Sequence, residues 1–347
     1  MKMKKFAMAT VAVAALSAGV AQAYTVGTFS NGFVVPNVIH NGASDTTAVG
    51  LINQSNEARA VYWTFFDENG GALTSGCFAM KNRDYQPFIW SAESGSSMSG
   101  KRGYLVFALG ETVAAPAAVP PVAFAPHKEC ADSAGLQTNA TLVAANTSPV
   151  AGAKISGSAF QVNATNKDVA FIPVIDGPLS MVATADLTRL DPGNLTAVAG
   201  AQNVGATAAG AVAGGAAPTA PQPTFSMRYA IGTGLDTSVV VWSTADHRGT
   251  YGVDVYNDSQ VRKRLNLVLK KGKMNVFDPK TLAGLPSTHT DGFIEWTPGN
   301  GGTAPRDFGD LGGTASSLTV AGGSVFTYSV INSSDLSATQ TILGSHR

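Results

Sequence analysis

VYWTFFDENGGALTSG, residues 61–76, is the stretch of sequence that decides the fold. Its first six residues are all aromatic or β-branched, which is typical of a strand. Asn69-Gly70 follows, a pair that favours the tight turn of a β-hairpin. The carboxylates of Asp67 and Glu68 therefore have two interpretations, a chemical site or a hairpin tip, and we predict the hairpin tip. A calcium loop is disfavoured, because residues 72–80 contain no carboxylate that would complete it.

The pattern of this stretch returns about 190 residues later in the chain. The offsets of four matching anchors lie between 189 and 191 residues, the pairs being Asp45 with Asp236, Phe65 with Val255, Phe88 with Phe277, and Gly103 with Gly292. Such nearly constant spacing predicts a tandem duplication. The second copy has Asn257-Asp258-Ser259 at the turn. It carries one carboxylate fewer than the first copy, which again favours a turn over a carboxylate site.

Strand-like runs separated by turn residues recur at intervals of about 10 residues, a spacing typical of a β-sandwich. We predict an all-β protein of two tandem Ig-like β-sandwich modules, residues 24–190 with a Cys-containing insertion, and residues 225–347. Residues 191–224 are rich in Ala, Gly, Pro and Thr and are predicted to be a linker without a packed core. The chain resembles the broad class of bacterial secreted Ig-like β-sandwich proteins. This resemblance covers both modules and transfers no functional residue.

Residues 1–23 have a Lys-rich start, an apolar run and a final Ala21-Gln22-Ala23, the three parts of a secretory signal peptide. We expect the mature chain to begin at Tyr24 and to be secreted, to the periplasm or to the cell surface, and not to span a membrane. Without this peptide the chain has 20 basic and 23 acidic residues, because three Lys are lost from 23 Lys and Arg. Such a balance does not favour a nucleic acid partner.

Two cysteines, Cys77 and Cys130, remain in the mature chain. An oxidising compartment favours a disulfide between them. The closed loop of 53 residues would stabilise the fold by about 3 to 5 kcal/mol on a chain-entropy estimate.

The sequence shows no motif for catalysis, a cofactor or a metal. Asp246-His247 with a serine would resemble a triad, but no GxSxG motif is present. His247 and His40 both fall beside predicted turns, and no pair of histidines has zinc-ligand spacing. We therefore expect a protein that is not an enzyme, and a hydrolase with a site between the modules is the least favoured alternative.

One segment, residues 262–273, holds six of the mature chain's 20 basic residues: Arg262, Lys263, Arg264, Lys270, Lys271 and Lys273. Two interpretations stay open: a patch for an anionic envelope polymer such as a polysaccharide, or an exposed edge strand whose charges block aggregation, which we favour. Of the four tryptophans, Trp63 and Trp242 lie in strongly apolar strands and are predicted to be core. Trp90 is the candidate for stacking on a sugar ring.

These observations favour a secreted or cell-surface protein with a structural or adhesive role. The alternative is a carbohydrate- or polyanion-binding protein that uses the basic residues and Trp90. The expected partners are envelope polysaccharide, other surface proteins or further copies of the chain.

Overall fold

The structure is a computed structural model that describes residues 27–56, 58–112, 154–164, 168–182, 185–188, 190–204, 222–298, 323–336 and 338–347. Regular structure in these ranges is almost entirely antiparallel β-strand, together with one short α-helix, Trp90–Ser94, and two single-turn 3₁₀ helices. The all-β prediction is confirmed. The predicted signal peptide and Cys130 lie outside the described residues, so both stay predictions.

The first predicted module, which we call module 1, has nine strands: β1 Gly32–Val38, β2 Asp45–Asn53, β3 Arg59–Asp67, β4 Ala72–Met80, β5 Asp84–Ile89, β6 Gly103–Thr112, β7 Ile155–Asn163, β8 Asp168–Ile172 and β9 Ile175–Asp176. They form a sandwich of two sheets, with strand orders β4-β3-β6-β1-β9 and β5-β2-β7-β8.

Module 2 has the same strand order, with orders β16-β15-β18-β13-β21 and β17-β14-β19 followed by β20. Each module 2 strand corresponds to the module 1 strand whose number is lower by twelve. The strands are β13 Phe225–Ala230, β14 Leu235–Ser243, β15 Gly249–Asn257, β16 Arg262–Leu269, β17 Met274–Phe277, β18 Asp291–Trp296, β19 Gly323–Ser333, β20 Ala338–Leu343 and β21 Ser345–His346.

This strand order differs from that of an immunoglobulin constant domain, in which the first strand pairs with the second. Here β1 pairs with β6 and β9, and β13 pairs with β18 and β21. Alternating side chains in a sequence specify which face of a strand is buried, not which strand lies beside it. The sequence therefore predicted a sandwich but not the pairing of its first strand.

Two details of local geometry also recur in both modules. The Thr47 hydroxyl exchanges two hydrogen bonds of 3.0 Å with the backbone of Ile39, and the Thr237 hydroxyl exchanges bonds of 2.7 and 2.9 Å with the backbone of Ala230. Gly103 and Gly292 each lie so close to a neighbouring strand that a Cβ atom would approach a carbonyl oxygen to 1.8 Å.

The predicted linker contains two strands, which corrects the prediction for residues 195–204. β10 (Leu179–Met181) pairs with β11 (Leu195–Val198), and β12 (Gln202–Val204) pairs with β19. Composition was misleading here, because backbone pairing with other strands requires no apolar stripe, and the few large side chains are enough to reach the core. Those from the linker that are buried are Leu195, Val198 and Val204. Residues 205–221 lie outside the described residues.

The segment from β10 to β11 covers part of one face of the β4-β3-β6-β1 sheet. Leu179 packs against Gly32, and the Ser75 hydroxyl donates to the Thr188 carbonyl at 3.0 Å. This face carries Tyr104, whereas the opposite face carries Phe107, which packs inside module 1 at 5.0 Å from Phe33, measured between ring centroids. Strand β3 is accordingly buried at eight of its nine residues, because both of its faces are covered.

Candidate functional site

Asp67 lies at the tip of the β3–β4 hairpin and closes the turn. Its Oδ1 accepts the backbone N–H groups of Asn69 at 2.9 Å and Gly71 at 2.8 Å. In module 2 the amide oxygen of Asn257 accepts the N–H groups two and four residues later, at 3.1 and 2.8 Å. An amide oxygen does the same work as a carboxylate here, so the geometry fits the predicted hairpin tip.

The rest of this tip joins the two modules. The Glu68 carbonyl accepts the N–H groups of Lys273 and Met274, both at 2.9 Å, and the Asn69 side chain accepts the N–H of Gly272 at 3.3 Å. The Glu68 carboxylate lies 3.4 Å from the Lys271 ammonium. The tip is thus an inter-module contact. The sequence did not reveal this role, because the same residue types occur in turns and in contacts between modules.

Beside this tip, apolar side chains of the two modules form one continuous core. Trp242 of β14 is fully buried and meets Tyr104 of β6 edge to face, with ring centroids 5.8 Å apart. The backbone N–H of Asn37 points at the Met274 sulfur at 3.1 Å. Tyr328 is also buried in this core, and burial strongly raises the pKa of its hydroxyl group. The module 2 side chains in this shared core are Val240, Trp242, Met274, Phe326 and Tyr328.

A second contact ties the far edges of the modules together. The Thr339 hydroxyl donates to the Asp168 carboxylate, and the Thr341 hydroxyl donates to the Phe171 carbonyl, both at 2.7 Å. These bonds join β20 of module 2 to β8 of module 1. The two modules therefore meet along a broad seam and not only through the chain that connects them.

A polar cleft of about 340 Å³ opens on this seam. We call it the seam cleft, and its charged lining is Asp67, Glu68, Lys101, Arg102 and Lys271. The carboxylates of Asp67 and Glu68 are engaged by the turn and by Lys271. Lys101 and Arg102 add two cations from the loop before β6.

The structure distributes the predicted basic patch over three environments. Arg262 and Arg264 form ion pairs with Asp254, at 2.9 and 3.3 Å. Lys273 donates to the Thr244 carbonyl at the seam, and burial lowers its pKa. Lys271 borders the seam cleft, whereas Lys263 and Lys270 take part in none of the ion pairs of the described ranges. The six residues thus do not form one surface.

The segment itself is an edge strand, as the favoured interpretation predicts. β16 is the outermost strand of its sheet. Leu265, Leu267 and Leu269 are buried, and the residues between them are exposed. Charge on the exposed positions of an edge strand hinders pairing with another chain.

Trp90 is fully buried, which corrects its prediction as a sugar-stacking residue. Its ring lies 4.4 Å from that of Phe65 and 6.1 Å from that of Trp63, measured between centroids. It follows the apolar end of β5 and turns into the core at the short helix. Trp63, Trp242 and Trp296 are buried as well, at 2% exposure or less.

His40 and Ser94 form the arrangement that comes nearest to a catalytic pair, with His40 Nε2 3.0 Å from Ser94 Oγ. His40 Nδ1 accepts the backbone N–H of Gly42 at 3.2 Å, so Nδ1 carries no proton and Nε2 carries it. Ser94 Oγ also donates to the Trp90 carbonyl at 2.6 Å. His40 therefore donates to the serine and is not placed to accept its proton.

Asp246 and His247 do not form a catalytic pair either. The Asp246 carboxylate binds the Arg248 guanidinium at 2.9 and 3.0 Å. His247 is 3% exposed and lies edge-on to Trp296, with centroids 6.3 Å apart. Burial lowers the pKa of His247 to about 4, so the imidazole is neutral in the folded protein near pH 7.

Among the residues that the structure describes, no group of three or more His, Cys, Asp or Glu side chains is arranged to hold a metal ion. Within the same ranges, no helix is long and apolar enough to cross a membrane. Cys77 is buried in β4, and its predicted partner lies outside these ranges.

Each module presents one sheet face away from the seam, and the module 2 face is charged. This charged face is the outer side of β16-β15-β18-β13. Two acids at its centre, Asp254 and Glu295, lie opposite each other on neighbouring strands. Arginines pair with them, including Arg347 with Glu295 at 3.2 Å. The equivalent face of module 1, which is covered, has Thr64 and Val106 opposite each other at these positions.

The outward face of module 1 is apolar instead. This apolar face is the outer side of β5-β2-β7-β8, and its exposed large side chains are Ile52 at 40%, Tyr85 at 62%, Phe160 at 39%, Val169 at 55% and Phe171 at 38%. They make up five of the eleven exposed large hydrophobic side chains in the described ranges. Phe160 and Phe171 lie edge to face at 5.8 Å, and the Tyr85 ring lies over Gly50.

Comparisons with protein-family models, with curated proteins and with solved structures found no match to the chain.

Proposed function

We propose that the protein is a secreted, non-enzymatic surface protein of bacterial type with a structural or adhesive role. In this proposal its modules are copies, made by tandem duplication, of one sandwich that is Ig-like in its two packed sheets but not in the pairing of its first strand. Their identical strand order, the shared turn geometry at Asp67 and Asn257, and the nearly constant offset of the anchors support the duplication.

The observation that carries the proposal is the shared core. Interfaces between domains of one chain are usually modest in size and polar, and relative motion is then the default. Here buried aromatic side chains from both modules meet at the seam, and hydrogen bonds join them at the hairpin tip and at the β8–β20 edge. A stiff two-module unit suits a protein that bears load or spaces partners at a surface.

The test determines where the protein is located in the bacterium that produces it and how its chain is processed. We expect a chain that begins at Tyr24, is accessible to antibody on intact cells and remains with washed envelopes. Deletion of the gene should reduce adhesion or envelope integrity, and the wild-type chain should restore it. An uncleaved chain in the cytoplasm would contradict the proposal, and so would a deletion strain with unchanged adhesion and envelope.

Binding of an anionic polymer is a second candidate, favoured by the cations that border the seam cleft. The double variant Lys101→Glu with Arg102→Glu should elute from an anionic polysaccharide matrix at lower salt than the wild type. The matched control is Lys263→Glu with Lys270→Glu, which makes the same change of charge on the edge strand β16 and directly after it. Equal loss of retention in both variants would show attraction by net charge alone and exclude the cleft as the site.

A further inference from the structure

The apolar face of module 1 occupies the same place in its sandwich as a face that is buried in module 2. Ile52 lies opposite Tyr85 and Ser156 on the neighbouring strands, and Trp242 lies opposite Met274 and Phe326. Trp242, Met274 and Phe326 are buried in the core shared with module 1. In module 2, this face of the sandwich therefore packs against module 1, which serves as its partner.

The charged face is a poor partner for the apolar face of another copy. Packing the two together would place Asp254, Glu295 and their arginines against phenylalanine and isoleucine, and would desolvate the carboxylates without new partners. The apolar face, in contrast, complements itself, because each copy offers aromatic and branched aliphatic side chains with few polar groups between them.

We propose that two copies of the chain form a closed dimer by packing their apolar faces together. The contact is the same on both copies, as in a two-fold symmetric interface. The two charged faces then point outwards, so that the assembly stops at two. This inference extends the proposed structural role by naming the partner as a second copy of the chain.

The size of the face indicates which class of interface the dimer would have. Four strands at a spacing of about 4.8 Å and some seven residues at about 3.3 Å each give a face of roughly 19 by 24 Å, or about 450 Å² per copy. The two copies would bury about 900 Å² or somewhat more, which is below the usual range of stable interfaces and typical of weak, transient ones. We therefore expect a dissociation constant in the micromolar range.

The experiment is sedimentation velocity on the chain without residues 1–23, from about 1 µM to about 1 mM, a range that brackets such a constant. The wild type should pass from monomer to dimer and grow no further. Ile52→Lys should weaken the dimer at least tenfold. The matched control is Val268→Lys, whose side chain is 42% exposed on the outer side of β16, compared with 40% for Ile52, and it should dimerise like the wild type.

Three results would overturn the dimer: a monomer throughout the range, growth beyond two copies, or an equal loss in both lysine variants. Circular dichroism of each variant checks that it is folded. Vesicles of neutral lipid added to the monomeric sample identify a lipid surface as the true partner if they bind the wild type but not Ile52→Lys. A monomeric chain displayed on the cell surface would remove the dimer and leave the proposed function standing.

Discussion

Trp242 allows the strength of the seam to be measured against a matched position. It is fully buried between the modules, whereas Ile52, at the corresponding position of β2, is 40% exposed on the apolar face. We expect Trp242→Ala to lower the free energy of unfolding by about 3 to 5 kcal/mol, the usual cost of removing a large buried aromatic side chain. Ile52→Ala removes a half-solvated side chain and should cost about 1 kcal/mol.

Urea unfolding followed by circular dichroism gives both values, at a concentration low enough to keep the chain monomeric. Trp242→Phe is a second control that retains a ring beside Tyr104 and should lose less stability than the alanine variant. If Trp242→Ala and Ile52→Ala lose the same free energy, the modules do not stabilise each other through this core. The assignment of the seam as the structural centre of the protein would then be refuted.

Three further predictions concern single residues. Asp67→Asn should change the free energy of unfolding by less than about 0.5 kcal/mol, because the amide oxygen still accepts both N–H groups, whereas Asp67→Ala should cost about 1 to 2 kcal/mol; equal losses in urea unfolding would contradict the turn role. Gly103→Ala and Gly292→Ala should each cost about 2 kcal/mol or more, because the new Cβ overlaps a strand carbonyl, and Gly193→Ala, with no atom near its Cβ position and no positive φ, is the control for space. Burial holds the pKa of His247 at about 4 in the folded state, compared with 6.5 in the unfolded chain. Between these pH values the unfolded chain therefore binds more protons than the folded chain. The stability that the neutral imidazole contributes is fully present above about pH 6.5, and as the pH falls towards 4 up to about 3 kcal/mol of it is lost. His247→Phe should flatten this slope in unfolding measured from pH 4 to 7, and an unchanged slope would contradict a buried neutral imidazole.

The sequence predicted the strands, the hairpin tip and the exposed edge strand β16 from local pattern. Residues 61–66 are apolar without alternation, and such a run fits a strand covered on both faces. That signal was present for β3, β6 and β14, but it predicted only strands with core residues and not a seam between the modules. Outer strands such as β16 alternate instead, with Leu265, Leu267 and Leu269 buried.

Other features depended on tertiary contacts that no local pattern encodes. Trp90 follows the half-buried end of an edge strand, and only the turn of the chain at the short helix directs it inwards. The basic residues are close in sequence, but strand alternation and the contact between the modules place their side chains in different environments. The apolar face could not be recognised from the sequence, because its residues lie in strands β2, β5, β7 and β8, which come from segments far apart in the chain.

Calorimetric unfolding of the chain without residues 1–23 tests the central claim, that the two modules form one cooperative body through a shared core. A shared core predicts a single transition in which the van't Hoff and calorimetric enthalpies agree. Two resolved transitions, or a van't Hoff enthalpy near half of the calorimetric value, would mean that the modules unfold independently and would contradict a shared core.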